Sequence, residues 1–388
     1  MKGPALYFGL TVFFVGFGNY SFSLLIPILV VDRAGYSFSE LALVLTSYSL
    51  AVILFGPLWG YLSDKIGRRR PIIILGYCIF SLSSIFYVFA DALPAYMVLR
   101  FLQGVGMAAH PMVTALFSDF FGAEAAKRFG LYSGIEAVGW GLGGIGAGTL
   151  ADALGIKAVF LIAAVFPLIS AALAYWKLPR RVPSSEGSDP VAENVVHKVP
   201  RKLFFLYGTV FARMAAAIAL WSVMPLYLKS FVSQLSLVGL VSSANMLIQP
   251  FFMIAAGRMA ERHDRLKLVM WGIIGSIATF WVYASAQSVW YLVVGNVLIA
   301  GSWALMFIGF NTYIMQSTTQ QVRGKAFGYL QGSMSVAMAT GPVLGGMLSE
   351  VLGISGMIWS ASALMTLSLP TLLMLRHRER QTRLQTSS

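Results

Sequence analysis

Four side chains able to hold or move charge stand in stretches that are otherwise almost wholly apolar: Arg100, His110, Glu136 and Arg213. Glu136 is the one acid inside such a stretch, about two helical turns from its basic end. A carboxylate isolated in hydrocarbon takes up a proton and one beside a cation releases it, which is what proton carriage requires. A structural ion pair would use the same residue, and the sequence leaves both uses open. His110, followed by Pro111, has two readings as well, a packing residue with one hydrogen bond or a proton relay. An arginine in hydrocarbon costs at least ~2.5 kcal/mol unless paired or solvated, so Arg100 either faces a bundle interior, the placement expected here, or snorkels outward. Counted from the ends of their segments at ~1.5 Å per residue, His110, Glu136 and Arg213 lie at depths of about 12, 10 and 15 Å and can share one layer. Arg213 stands in the other half of the chain, so its distance to Glu136 is expected to change with conformation, giving the carboxylate a cationic neighbour in one state and more water in another.

Other chemistries find no support. Cys78 is the only cysteine, which rules out an intrachain disulfide or a thiolate metal site. Residues Gly141 to Gly146 spell G-x-G-x-x-G, but no strand precedes them and no helix begins there, so the dinucleotide reading fails on context. Neither a metal-ligand cluster nor a nucleophile with its base is found in any loop, and no ATP-binding motif is present. We therefore expect no catalytic residue, no metal, no cofactor and no enzyme.

The elements that position these residues follow from composition. The 388 residues are 57% hydrophobic and 11% charged, with mean hydropathy +0.75. A soluble domain carries about 25% charged residues, so the chain is an all-α integral membrane protein. Twelve apolar segments are each long enough to cross with ~20 residues. They lie at about 5–31, 39–62, 71–90, 94–118, 129–152, 156–178, 203–228, 235–257, 266–286, 289–315, 326–350 and 355–375. The polar stretch 179–202 between the sixth and seventh reads as a flexible linker. The second half repeats the first at a shift of 198 residues, which lays Pro225 on Pro27, Gly328 on Gly130 and Gly353 on Gly155. The expected organisation is a six-helix unit 1–178, linker 179–202, a six-helix unit 203–375 and a basic tail 376–388.

The net charge of +13 reports topology, not nucleic acid, because Lys and Arg recur in every second loop. With both termini on one side, that side holds 23 of the 28 Lys and Arg, and only Arg33, Lys157 and Lys229 lie opposite. That asymmetry makes both termini cytoplasmic and predicts a multi-pass protein of the plasma membrane.

Between the second and third segments stands Gly60-Tyr61-Leu62-Ser63-Asp64-Lys65-Ile66-Gly67-Arg68-Arg69-Arg70. Read as G-x-L-x-D-x-x-G-R-R/K, it resembles the signature loop of the major facilitator superfamily, with Gly60, Asp64, Gly67, Arg68 and Arg69 in place. Residues 257–265 look like a worn second copy. Arg100 to Gly106 resembles the R-x-x-x-G-x-G pattern of that family's fourth helix. The glycine run of the fifth segment is similar to its antiporter pattern G-x-x-x-G-P-x-x-G-G, except that Gly144 replaces the proline, which stands instead at Pro342.

This resemblance implies a secondary transporter whose two halves rock about a central cavity, with the signature loop as a conformational latch and Asp64 near the start of the eleventh helix. By analogy the cavity candidates are Asn19, Tyr20, Arg100, Gln103, His110, Arg213, Trp221, Asn296, Trp303 and Asn311. Glu136, His110, Arg213 and Arg100 are the candidates for coupling to protons. The absence of acids from the first, seventh and tenth segments points away from cationic drugs and toward anionic or neutral amphipathic substrates. The leading expectation is a monomeric, proton-coupled exporter whose partners are a small-molecule substrate, protons and the lipid bilayer. The alternatives are a lipid flippase, an uptake symporter, or a receptor on the same fold.

Overall fold

The computed structural model describes residues 3–179 and 199–376. The expected linker lies almost wholly outside the described residues, as does all but the start of the tail. The elements are α1 (Pro4–Pro27, continued by a wider turn over Ile28–Arg33), α2 (Phe38–Ile66), α3 (Arg70–Phe86), α4 (Leu93–Met107), α5 (Pro111–Phe121), α6 (Ala125–Leu154) and α7 (Ile156–Lys177). After the linker come α8 (Leu203–Lys229), α9 (Leu235–Arg262), α10 (Arg265–Ala284), α11 (Val289–Ser317) and α12 (Gln320–Thr366). Among the described residues nine helices are long and apolar enough to cross a membrane. The twelve expected segments are all helical, and the different count has local causes.

The fourth segment was expected to be one helix and is two. Pro111 lacks an amide hydrogen and crowds the carbonyl one turn back, so the helix is interrupted over residues 108–110 and α5 restarts at the proline. The fifth segment, α6, is diluted by glycine and carries Glu136, which lowers its hydropathy. The eleventh and twelfth segments run together in α12, which bends at Gly353, where φ is 69°. Gly155, its repeat mate, turns the chain from α6 to α7 with φ 82°. Both corners need the left-handed region that glycine enters freely, so the repeat read from sequence recurs in the backbone.

Helix ends are set by familiar chemistry. Ser37 and Glu40 form a reciprocal capping box at the start of α2, and Asp264 accepts the amides of Leu266 and Lys267 at the start of α10. Nothing breaks α2 before Gly67, so the helix runs beyond its expected end through Asp64 and Lys65. Gly67 then stops it with φ 64°.

The described residues form two compact units, and residues Leu228–Leu247 group with the first half of the chain. In the first unit α1 packs on α6 and α7, α2 on α4, and α3 on α4 and α7. In the second, α10 packs on α11 and α12. The apolar window of α1 is 72% buried, against 28% for α2 and for α9, so α1 is largely enclosed while those two expose most of their surface. The glycines of α6 permit its close approach to α1: a Cβ on Gly139 or Gly143 would collide with the backbone of Phe13 or Phe17. Small hydroxyls tie these contacts, with Ser21 donating to the Gly143 carbonyl at 2.8 Å and Ser170 to that of Thr11 at 2.9 Å.

Candidate functional site

The kink at Pro111 brings His110 to the side of α6. There His110 Nε2 lies 2.8 Å from Glu136 Oε1, and His110 Nδ1 lies 2.9 Å from the Tyr77 hydroxyl on α3. An aromatic core holds this row in place: Tyr77, Phe80, Phe117 and Tyr132 are all buried, and the rings of Phe117 and Tyr132 are 4.6 Å apart. Tyr132, one turn before Glu136, shares a 3.0 Å hydrogen bond with Thr114. Besides an imidazolium that donates to both the Glu136 carboxylate and Tyr77, the row has two arrangements with a neutral His110. Either neutral His110 accepts from Tyr77 and donates to the Glu136 carboxylate, or protonated Glu136 donates to His110, which donates onward to Tyr77. The pair is not sealed, since 16% of the His110 and 23% of the Glu136 side-chain surface remains exposed.

Arg100 is 4% exposed on α4. It donates to Gln103 Oε1 at 2.8 Å and to the Ser23 hydroxyl on α1 at 3.2 Å, and its guanidinium lies 4.3 Å from the centre of the Tyr48 ring. Gln103 is held in turn by Ser84 on α3 at 2.8 Å. The charge is thus spread over neutral dipoles and an aromatic face, with no carboxylate among the described residues. Arg213, also 4% exposed, sits on α8 in the second unit. Its guanidinium lies 4.5 Å from the centre of the Trp303 ring on α11, its Nη1 meets the Met214 sulfur at 3.5 Å, and its Nε, like that of Arg100, has no hydrogen-bond partner among the described residues.

The other candidates separate by environment. Tyr20 donates to the Ser242 carbonyl at 3.2 Å. Asn19 is buried with Oδ1 unpartnered. Trp221 and Trp303 are partly exposed. Asn296 is fully buried and Asn311 partly so, and each donates to a carbonyl one turn back on α11, Leu292 and Phe307 respectively.

In the signature loop Arg69 is the hub. Its Nε is 2.6 Å from Asp119 at the end of α5, and its Nη1 is 3.7 Å from Asp64 at the end of α2. Gly67 is required by its backbone, whereas a Cβ on Gly60 would meet open space. Arg68 is exposed.

Three participants escaped the sequence reading. Tyr77 looked like one more aromatic in an apolar run. Asp119 stands in a polar connection between apolar segments, where an acid carries no particular signal. Asp152, at the far end of α6, accepts the amides of Leu235 and Ser236, both at 2.8 Å, and so caps α9. A carboxylate beside two free amides at a helix start is a recognisable cap once the helices are placed, but nothing in the sequence joins residues 83 positions apart.

Comparison with known proteins places this geometry in context. The family model described as Major Facilitator Superfamily matches residues 8–218 and again 205–388. The chain is 23% identical to an uncharacterized MFS-type transporter of Methanocaldococcus jannaschii, over 85% of this chain and 88% of that one. It is 24% identical to the multidrug resistance protein MdtG of Salmonella typhimurium, over 86% of each. Among solved structures it resembles the nucleoside transporter NupG at TM-score 0.79 and 14% identity, covering 97% of this chain and 99% of the other. It also resembles a bacterial homologue of the lysosomal transporter Spinster at TM-score 0.77 and 15% identity, covering 97% of each.

Proposed function

The chain belongs to the Major Facilitator Superfamily of membrane transporters, and from that premise we propose that it exports small anionic or neutral amphipathic organic molecules in exchange for protons. The observation that carries the reading is the row Tyr77, His110, Glu136, a partly buried acid paired with a side chain that can itself take or give a proton. Binding a proton there changes the charge of a helix interface inside the bundle. A change of charge in a low-dielectric interior is large enough to bias one conformation over another.

Arg213 supports the substrate class. A buried guanidinium whose neighbours are a sulfur and an aromatic face lacks a counter-ion among the described residues, and a bound anion would supply one. Trp303 would then offer its face to an aromatic or apolar part of the same molecule. The relatives named for multidrug resistance support export and tolerance of several substrates. In this reading residues 1–178 and 203–375 are the two rocking halves, joined by 179–202. The protein is a monomer of the plasma membrane with both termini cytoplasmic.

The test is transport by proteoliposomes of a panel of organic anions, cations and neutral amphiphiles, with and without a pH gradient. Anions driven by the gradient are expected. Wild-type transport indifferent to the gradient, or confined to cations, would sink the proposal.

A further inference from the structure

At the basic end of the first unit a groove of about 840 Å³ opens between α3 and α7. Arg68 and Arg70 stand at its charged end, and Ile74, Leu75, Cys78 and Tyr175 form its wall. Leu75 and Tyr175 are 46% and 54% exposed, as side chains facing lipid would be. Arg70 is fixed in place: its Nη1 donates to the Leu178 carbonyl at 3.3 Å and its guanidinium lies 5.2 Å from the centre of the Tyr175 ring. Arg68 is exposed and makes no ion pair with a described residue. Two cations at the end of an apolar furrow that runs two turns into the membrane fit an amphiphile with an anionic head.

We propose that this groove binds one anionic phospholipid from the leaflet on the basic side of the protein. The exposed Arg68 holds its phosphate, the buried Arg70 adds positive charge at the same end, and an acyl chain lies along Ile74, Leu75 and Cys78. A free phosphate would satisfy the arginines and leave the wall uncovered. The acidic linker stretch Ser184-Ser185-Glu186-Gly187-Ser188-Asp189-Pro190 could also meet the arginines, but it has no apolar run to fill the furrow. An anionic lipid meets both ends, and basic side chains at the cytoplasmic surface attract such lipids. The site makes no use of the coupling row and stands or falls independently of the transport reading.

The full-length protein allows a direct test, because Cys78 is its only cysteine. Native mass spectrometry should show phosphatidylglycerol retained under activation that strips phosphatidylcholine. Arg68→Gln should weaken that retention about five-fold, and Leu75→Trp, which fills the furrow, should abolish it. In nanodiscs, phosphatidylglycerol should slow maleimide alkylation of Cys78 relative to phosphatidylcholine. A cysteine placed by Leu82→Cys in a Cys78→Ser background should react equally in both lipids, which separates occupancy from a general surface-charge effect. Equal retention of the two lipids overturns the proposal, as does retention indifferent to Arg68→Gln. So does displacement of the lipid by glycerol phosphate alone, which would mean an ion site. Protection of Cys78 that persists without lipid and vanishes when residues 184–193 are deleted would make the linker the occupant and overturn it too.

Discussion

Arg100 and Arg213 are the same residue at the same burial, 4% exposed, one in each compact unit. Around Arg100 the bundle supplies Gln103, Ser23 and the Tyr48 face, with Ser84 holding Gln103 from behind. Around Arg213 it supplies Trp303 and the Met214 sulfur. An interior guanidinium has five N–H donors to satisfy; among the described residues Nε is without a partner in both arginines, but Nη1 and Nη2 of Arg100 meet side-chain oxygens whereas Arg213 meets only a sulfur. The first arginine is part of the scaffold that joins α1, α3 and α4. The second has no such cradle among the described residues, and in the proposed reading a bound anionic substrate completes it.

Four substitutions break or sharpen this contrast. The largest effect is expected from Glu136→Gln, which leaves both arginines in place and removes the acid. Transport driven by a pH gradient should be abolished while substrate counterflow persists, and gradient-driven accumulation by this variant would make Glu136 structural. Next comes Arg213→Gln. A charge-assisted hydrogen bond contributes about 1.5–3 kcal/mol, so affinity for anionic substrates should fall about 10- to 100-fold. Neutral substrates should keep theirs, and an equal loss for both classes would mean that the residue only supports the fold.

Arg100→Gln should behave in the opposite way, lowering the melting temperature of the purified protein more than it lowers affinity. Leaving Gln103 and Ser23 without their donor costs about 1–3 kcal/mol of stability. A variant with wild-type melting and lost affinity would put Arg100 at the substrate. The smallest effect on stability is expected from Asp64→Asn, because an exposed ion pair contributes about 0–1 kcal/mol. Turnover should still drop strongly with substrate affinity mostly intact, since we propose that this loop acts as a latch. Lost binding with normal turnover would show otherwise. Breaking the chain within residues 184–193 and co-expressing the halves should preserve transport, and halves that never associate would give the linker a structural role.

Much of this architecture was legible residue by residue. Segment length, the basic loops, the Gly155 and Gly353 corners and the stop at Gly67 all depend on neighbours within a few positions, so composition and spacing suffice to find them. The kink of the fourth segment was legible in principle, since Pro111 cannot continue the hydrogen-bond ladder. The pairings were not. Arg69 with Asp119, His110 with Glu136 and Tyr77, and Asp152 with the start of α9 each join residues 26 to 83 positions apart in sequence.

The physical reason lies in the solvent. A helix of a soluble protein advertises its inner face by an apolar stripe, but a helix surrounded by lipid and by other helices is apolar on every side, so its rotation about its own axis is not written in its periodicity. The sequence by itself determined that the chain crosses a membrane twelve times in two related halves, and which few polar residues enter the apolar region. Only the tertiary structure decided which of those residues meet, because that depends on how each helix is turned against its neighbours by close glycine contacts and interhelical hydrogen bonds. It set Arg100 against Gln103, Ser23 and Tyr48, and Arg213 against Trp303 and the Met214 sulfur.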